Sequence, residues 1–309
     1  MNPIPVYGKG AYIWLVSQIE KGDPKKIADK LEKAGVSFVA IKIHNGTFPY
    51  STGAYNVGPT IEELRKRGIT VGAWGYVYLN SPQVEARVAV DMCKIHKPAF
   101  YLIDAEAHAK GKFNQAAVFA NALRAGLPDL PIGLNSYWKP SYHPELPFNE
   151  LRSICDFDTP QVYWRGANPV GKTILSQKEY GLMKKKLPFW PAGEMFHEAG
   201  ITTTPKELNE FLSYCRDNFQ ACVLWSADAN ETTGALWQAF SDFQWDPAGA
   251  KIVRRLHQFF DDAKDYASSH QDEIQKRYES VKSGNHPGWA GPQEMAIGAA
   301  LIQAVEEGS

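Results

Sequence analysis

The sequence is poor in the features that announce a metal, redox or nucleotide chemistry. Cysteine is scarce: Cys93, Cys155, Cys215 and Cys222 are scattered, none forms a C-x-x-C, and no histidine sits at ligand spacing beside them. That pattern argues for buried thiols and against a zinc module or a disulfide framework. No sign of charge predominates. Lys and Arg number 33 against 34 Asp and Glu, a net charge of -1, which argues against a nucleic-acid polyanion as the main partner. No apolar run approaches the ~18–20 residues that cross a membrane, and the opening "MNPIPVYGKG" lacks the charged-then-apolar order of a signal segment. No G-x-G-x-x-G follows a strand and no G-x-x-x-x-G-K-[ST] is present, so no nucleotide cofactor is implied. H-x-H is absent as well, which weakens a metal-hydrolase alternative built on His44, His108, Asp104 and Glu106. The expectation is a chain that works without a cofactor or metal.

What is present is an aromatic-rich alternation of strand and helix. Aromatics make up 12% of the chain and Trp alone numbers 9, a content that suits a large core and also ring stacking on sugars. Strands are expected at 10–16, 38–44, 70–79, 99–106, 130–138, 159–164, 187–196 and 220–229. Helix signals fall between them. Asp23-Pro24 opens one that Gly35 closes, Ser81-Pro82 opens another, and Thr204 with Glu207 makes a capping box. The helix after the sixth strand is expected to start near Ser176. Eight such strands in about 240 residues is the count of a (β/α)8 barrel of the TIM type, an α/β fold. The barrel is assigned to residues 1–246. Residues 247–309 read as a C-terminal helical extension containing the Gly/Pro-rich linker 283–292. Its last stretch is too short to be stable alone, so it is expected to dock on the barrel or to serve self-association or partner contact.

Inside a parallel barrel, inward side chains fill the core and only the C-terminal strand ends open onto a site. The fourth strand, "FYLIDAEA", puts Phe100, Leu102, Asp104 and Glu106 on one parity. Two apolar residues then belong to the core, and two carboxylates rise into the mouth. The same test gives Lys42 and His44 on the second strand, Trp74 and Tyr76 on the third, and Asn135 and Tyr137 on the fifth. Gln161 and Tyr163 come from the sixth, Glu194 from the seventh, and Trp225 or Asp228 from the eighth. Adjacent carboxylates raise one another's proton affinity and keep one of them protonated near neutral pH. Cleaving a glycosidic bond needs such an acid for the leaving oxygen and a negative group for the oxocarbenium-like centre.

The segments "FVAIKIHNG" and "YLIDAEA", with the aromatic-rich ends of strands five, six and eight, resemble the family 25 glycoside hydrolases, lysozyme-like muramidases built on a barrel. The resemblance spans roughly residues 8–240. It implies Glu106 as proton donor, Asp104 as its assistant, and a polysaccharide substrate, with peptidoglycan the first candidate. Two departures stand out: the first strand, "AYIWLV", carries no acid, and the seventh carries Glu194. Barrel glycosidases of another clan pair a strand-four acid with a strand-seven nucleophile, which makes Glu194 the expected partner of Glu106. The competing reading is a non-catalytic barrel that binds carbohydrate or serves a structural role.

Overall fold

Strand β2 (Phe38–Asn45) shows how this chain divides its apolar residues. Phe38 and Ala40 enter one buried cluster, while Val39, Ile41 and Ile43 enter another. A period-2 split between two dry layers is the signature of a strand buried on both faces. The computed structural model describes residues 6–198, 201–228 and 234–245. The helical extension expected at 247–309, with its linker, lies outside the described residues.

The barrel strands are β1 (Gly8–Ile13), β2, β3 (Thr70–Tyr76), β4 (Tyr101–Asp104), β5 (Ile132–Asn135), β6 (Phe157–Asp158), β7 (Gln161–Val162), β8 (Ala192–Glu194) and β9 (Ala221–Trp225). Helices α1 (Pro24–Lys33), α2 (Gly58–Lys66), α3 (Pro82–His96), α4 (Phe113–Gly126), α5 (Phe148–Arg152), α6 (Pro169–Leu182), α7 (Pro205–Asn218) and α8 (Gly234–Asp242) lie between and after them. The parallel order is β6-β5-β4-β3-β2-β1-β9-β8-β7. Its two ends belong to one stretch of chain. Phe157 and Asp158 pair with β5, Gln161 and Val162 pair with β8, and the bridges Asp158–Phe189 and Tyr137–Gln161 tie the stretch to both neighbours. The sheet therefore closes, as expected of a (β/α)8 barrel. In place of one sixth strand at 159–164 stand two short pieces, Phe157–Asp158 and Gln161–Val162. Pro160 separates them because it has no N–H for the ladder, although its carbonyl accepts from Ala192 N.

The inside of the barrel is a stack of rings. Phe38, Phe100, Phe157 and Trp190 meet at centroid distances of 4.7–6.1 Å. The strands between them carry glycine at the same level. A Cβ on Gly72 would stand 2.0 Å from the Phe100 ring, and one on Gly133 would stand 2.2 Å from Phe157. Large rings on one strand thus demand an empty position on the next. Above this layer Tyr12, Trp74 and Trp225 pack edge to face or tilted at 5.4–5.9 Å, and above them the site begins.

Helix starts follow their sequence signals. Asp23 accepts from the N–H groups of Lys25 and Lys26, and the Thr204–Glu207 capping box is complete. The helix expected near Ser176 starts earlier, at Pro169, where the Asn168 side chain accepts from Gly171 N. An Asn-Pro pair is itself a start signal. Among the described residues no helix is long and apolar enough to cross a membrane.

Candidate active site

Strand β4 ends at Asp104, and Ala105 still donates to Asn135 O of β5, so the strand course continues one residue beyond. Glu106 follows just before a single 3₁₀ turn, 107–109. Parity therefore carries both carboxylates to the mouth. Asp104 is buried and Glu106 half-buried. One amide holds the two together: Gln161 Nε2 lies 3.2 Å from Asp104 Oδ1, 2.8 Å from Glu106 Oε1 and 2.8 Å from Asn135 Oδ1. Asn135 in turn donates to Tyr12 Oη and Thr159 O, both at 2.8 Å. Residues from β4, β5, β7 and β1 thus form one polar network over the ring stack.

Burial is the main force on Asp104, and it holds the carboxyl well above the usual carboxylate range. The Glu106 charge pushes the same way, Lys42 opposes, and a hydrogen bond to the Glu106 carboxyl adds to the rise. Lys42 stands over Trp74, 4.5 Å from its centroid, with Trp14 and Tyr50 at 5.5 and 5.7 Å. Burial pulls its ammonium down to about 8, against the pull of Asp104 and Glu106.

The acids line a cavity of about 430 Å³ together with Gln161, Tyr137, Tyr163 and Trp225. Those six were all expected at the site. The cavity adds Trp138, His143, Arg165, Lys172 and Phe196; Phe196 shares the parity of Glu194 on the expected seventh strand and was legible there, whereas His143, Arg165 and Lys172 come from loops and the start of α6, with no strand periodicity to reveal them. Tyr137 stacks on His143 at 3.9 Å, and Tyr163 meets Phe196 edge-on at 5.3 Å. Tyr12 was legible by parity on β1, two residues beyond Gly10, and joins the network through its hydroxyl. Trp74 lies in the ring layer below, its indole N–H on Ile13 O at 3.2 Å. Tyr76 bonds His108 Nδ1 at 2.7 Å.

Three expected residues are engaged elsewhere. His44 is out of the mouth. The β2–β3 register slips between Lys42 and His44, and this bulge turns His44 to the outer face. There it is fully buried, stacks on Tyr101, and bonds Tyr101 Oη at 2.6 Å and Gly46 O at 3.0 Å. Burial holds its imidazole down at about 4. Asp228 accepts from Trp14 N at 3.0 Å and Leu15 N at 2.7 Å, tying the end of β9 to the end of β1. Glu194 is 1% exposed and is not among the cavity's lining residues. Its oxygens accept from Arg165 N at 3.1 and 3.2 Å and from the Thr203 hydroxyl at 2.7 Å. Burial raises its carboxyl, and these donors and the Lys172 charge oppose the rise. No cluster of His, Cys, Asp and Glu able to hold a metal occurs among the described residues.

No protein-family model and no curated protein sequence matches this chain. Solved structures do. The catalytic domain of a hyperthermophilic chitinase from Pyrococcus furiosus aligns with a TM-score of 0.59 at 13% identity, over 78% of this chain and 94% of that one. A chitinase from Chromobacterium violaceum gives 0.56 at 13%, over 76% and 98%. The spore cortex-lytic enzyme SleL of Bacillus cereus gives 0.55 at 9%, over 77% and 75%. The chain has the barrel fold of these enzymes. At such identities the likeness does not single out the family 25 type.

Proposed function

We propose that this chain is a glycoside hydrolase acting on a polysaccharide, with its chemistry in residues 1–246 and peptidoglycan as the first substrate to test. The observation that carries the reading is the Asp104–Glu106 pair: two carboxyls in hydrogen-bond contact, both lining a cavity walled by aromatic side chains. Solved barrels of the same shape include proteins named as chitinases and as a cortex-lytic enzyme, which supports the same reaction class. Among the expected catalytic residues, Glu106 is the proton donor and Asp104 its partner.

Burial keeps one proton on Asp104; the hydrogen bond between the carboxyls hands it to Glu106, and Glu106 delivers it to the leaving glycosidic oxygen. Once that proton has gone, the Asp104 carboxylate is the negative charge beneath the oxocarbenium-like carbon. Lys42 favours that charge. Water adds to the carbon, and its proton returns to the pair. Gln161 and Asn135 fix the pair's orientation. Carboxyls joined by a hydrogen bond act as one unit and not as the two groups on opposite sides of the sugar that an inverting enzyme uses.

A second reading keeps the binding and drops the chemistry. It is favoured by β1, which ends in Ile13–Trp14 with no acid, and by the Gln161 amide, which occupies both carboxylates. A reducing-end assay on peptidoglycan, chitin and a panel of neutral glycans separates the two. Turnover by the native chain that disappears in Glu106→Gln supports the hydrolase. Binding without turnover on every glycan supports the second reading and overturns the first.

A further inference from the structure

Trp14 follows β1 directly and keeps 37% of its surface exposed, whereas Tyr12 and Trp74 in the ring layer are buried. The backbone that carries it is pinned. Asp228, 3% exposed, accepts from Trp14 N at 3.0 Å and from Leu15 N at 2.7 Å. A buried carboxylate is costly unless its oxygens are met, so these two N–H groups hold it and it holds them. The result is an indole fixed at the rim of the mouth with a large part of its ring in water.

Trp14 links the cavity to a second ring cluster. Its centroid lies 6.1 Å from that of Trp225, with the planes 34° apart, and Trp225 lines the cavity. The Lys42 ammonium lies 5.5 Å from the Trp14 centroid and 5.7 Å from that of Tyr50. Tyr50 packs on Tyr55 at 4.5 Å and on Phe48 at 6.0 Å, and Phe48 meets Tyr55 at 5.6 Å. Phe48 reaches this corner because Phe48–Pro49 folds back and pairs antiparallel with the end of β2. Tyr50 is buried, but Phe48 is 52% exposed and Tyr55 38%.

Contiguous exposed apolar surface marks a place where something binds. Continuity with the cavity selects the occupant. None of these exposed rings lines the cavity itself, yet a sugar chain leaving it over Trp225 reaches Trp14 next. A pyranose has a flat C–H face that covers an aromatic ring and a rim of hydroxyls that stays in water. Stacking therefore removes apolar area from solvent without stranding a polar group.

We propose that Trp14, with Phe48 and Tyr55 beside it, is a sugar-stacking platform outside the cavity, and that the site holds a glycan chain longer than the cavity alone accommodates. The proposal rests on the glycosidase reading in naming a glycan as the occupant. It narrows the substrate class to extended chains and excludes disaccharides as the preferred ligand.

Calorimetric titration of the full chain carrying Glu106→Gln tests it without turnover. The probes are disaccharides and hexasaccharides of N-acetylglucosamine, of glucose and of the peptidoglycan backbone. In at least one series the hexasaccharide is expected to bind more tightly than the disaccharide. Adding Trp14→Ala should weaken the hexasaccharide about tenfold, the worth of one stacked ring, and leave the disaccharide unchanged. Trp14→Phe, which keeps a ring, should retain most of the gain. A hexasaccharide affinity that Trp14→Ala leaves intact overturns the platform, as do an equal loss at both lengths and an absence of binding by every probe. Acrylamide quenching, read as the difference between the native chain and Trp14→Phe, gives a further check. A ring already shielded without sugar is covered by this chain or by a second copy, which also overturns the proposal. Absence of turnover on every glycan would sink the hydrolase and leave this length-dependent binding standing. Loss of the length dependence alone would sink the platform and leave hydrolysis standing.

Discussion

Asp104 and Glu194 are both buried carboxylates at the C-terminal ends of barrel strands, and burial raises the proton affinity of both. They differ in what meets their oxygens. Glu194 accepts from a backbone N–H and from the Thr203 hydroxyl, so withdrawing its partners means reshaping a loop. Among the described residues Asp104 meets side chains, the Gln161 amide and the Glu106 carboxyl. Side-chain partners can swing when a ligand enters. A carboxylate satisfied by backbone braces the fold; one satisfied by a movable amide and a second acid is poised to exchange a proton. On this ground we propose that the strand-seven acid is a positioning residue and that the strand-four pair carries the chemistry.

The largest effect that sharpens the comparison is on turnover. Glu106→Gln should lower kcat by about 10²–10⁴-fold, the usual worth of a positioned acid, with the circular dichroism spectrum unchanged. Glu194→Gln should lower kcat only a few-fold. Equal losses in the two variants would erase the distinction and return Glu194 to the chemistry.

Stability should show the reverse order. Glu194→Gln puts an amide N–H against the Arg165 N–H, or leaves one of its donors unmet, at a cost of about 1–3 kcal/mol. Urea unfolding measures it, and a loss near zero would mean that the loop does not depend on this carboxylate.

Asp104 should behave oppositely on a pH series. Its folded proton affinity is above that of the unfolded chain, so the native state binds more protons in the interval between the two values. Stability then falls as pH rises through that interval. Asp104→Asn removes the ionisation, so the variant should lose less stability between pH 4 and 7 than the native chain, while its turnover drops. A variant whose stability falls as steeply as the native chain's would show that Asp104 is not the group responsible. The smallest effect expected is that of Tyr12→Phe, which deletes the hydroxyl accepting from Asn135 and should cost about 0.5–1.5 kcal/mol, read by the same unfolding titration.

Much of the barrel was legible because its strands are buried on both faces and keep their period. The parity of "FYLIDAEA" led from Phe100 and Leu102 in the core to Asp104 and Glu106 at the mouth. The same rule failed at His44, where a bulge inserts one residue and reverses the face. It also missed the division of the sixth strand, since backbone pairing to two neighbours around Pro160 leaves no mark in side-chain pattern. Trp138, Arg165 and Lys172 escaped notice for a different reason. They reach the cavity from a loop, a turn and a helix start, where position depends on tertiary closure. Glu194 was found by parity, but parity says only which way a side chain points, not whether a backbone N–H waits for it there.

The most direct test of the account is the structure of the Glu106→Gln variant with a bound oligosaccharide substrate. The account predicts the glycosidic oxygen within hydrogen-bond reach, about 2.6–3.2 Å, of the side chain at 106, with Asp104 beside it and Glu194 still closed under the Arg165 turn. A sugar whose scissile oxygen approaches Glu194, or a chain bound away from the Asp104–Glu106 pair, would contradict it.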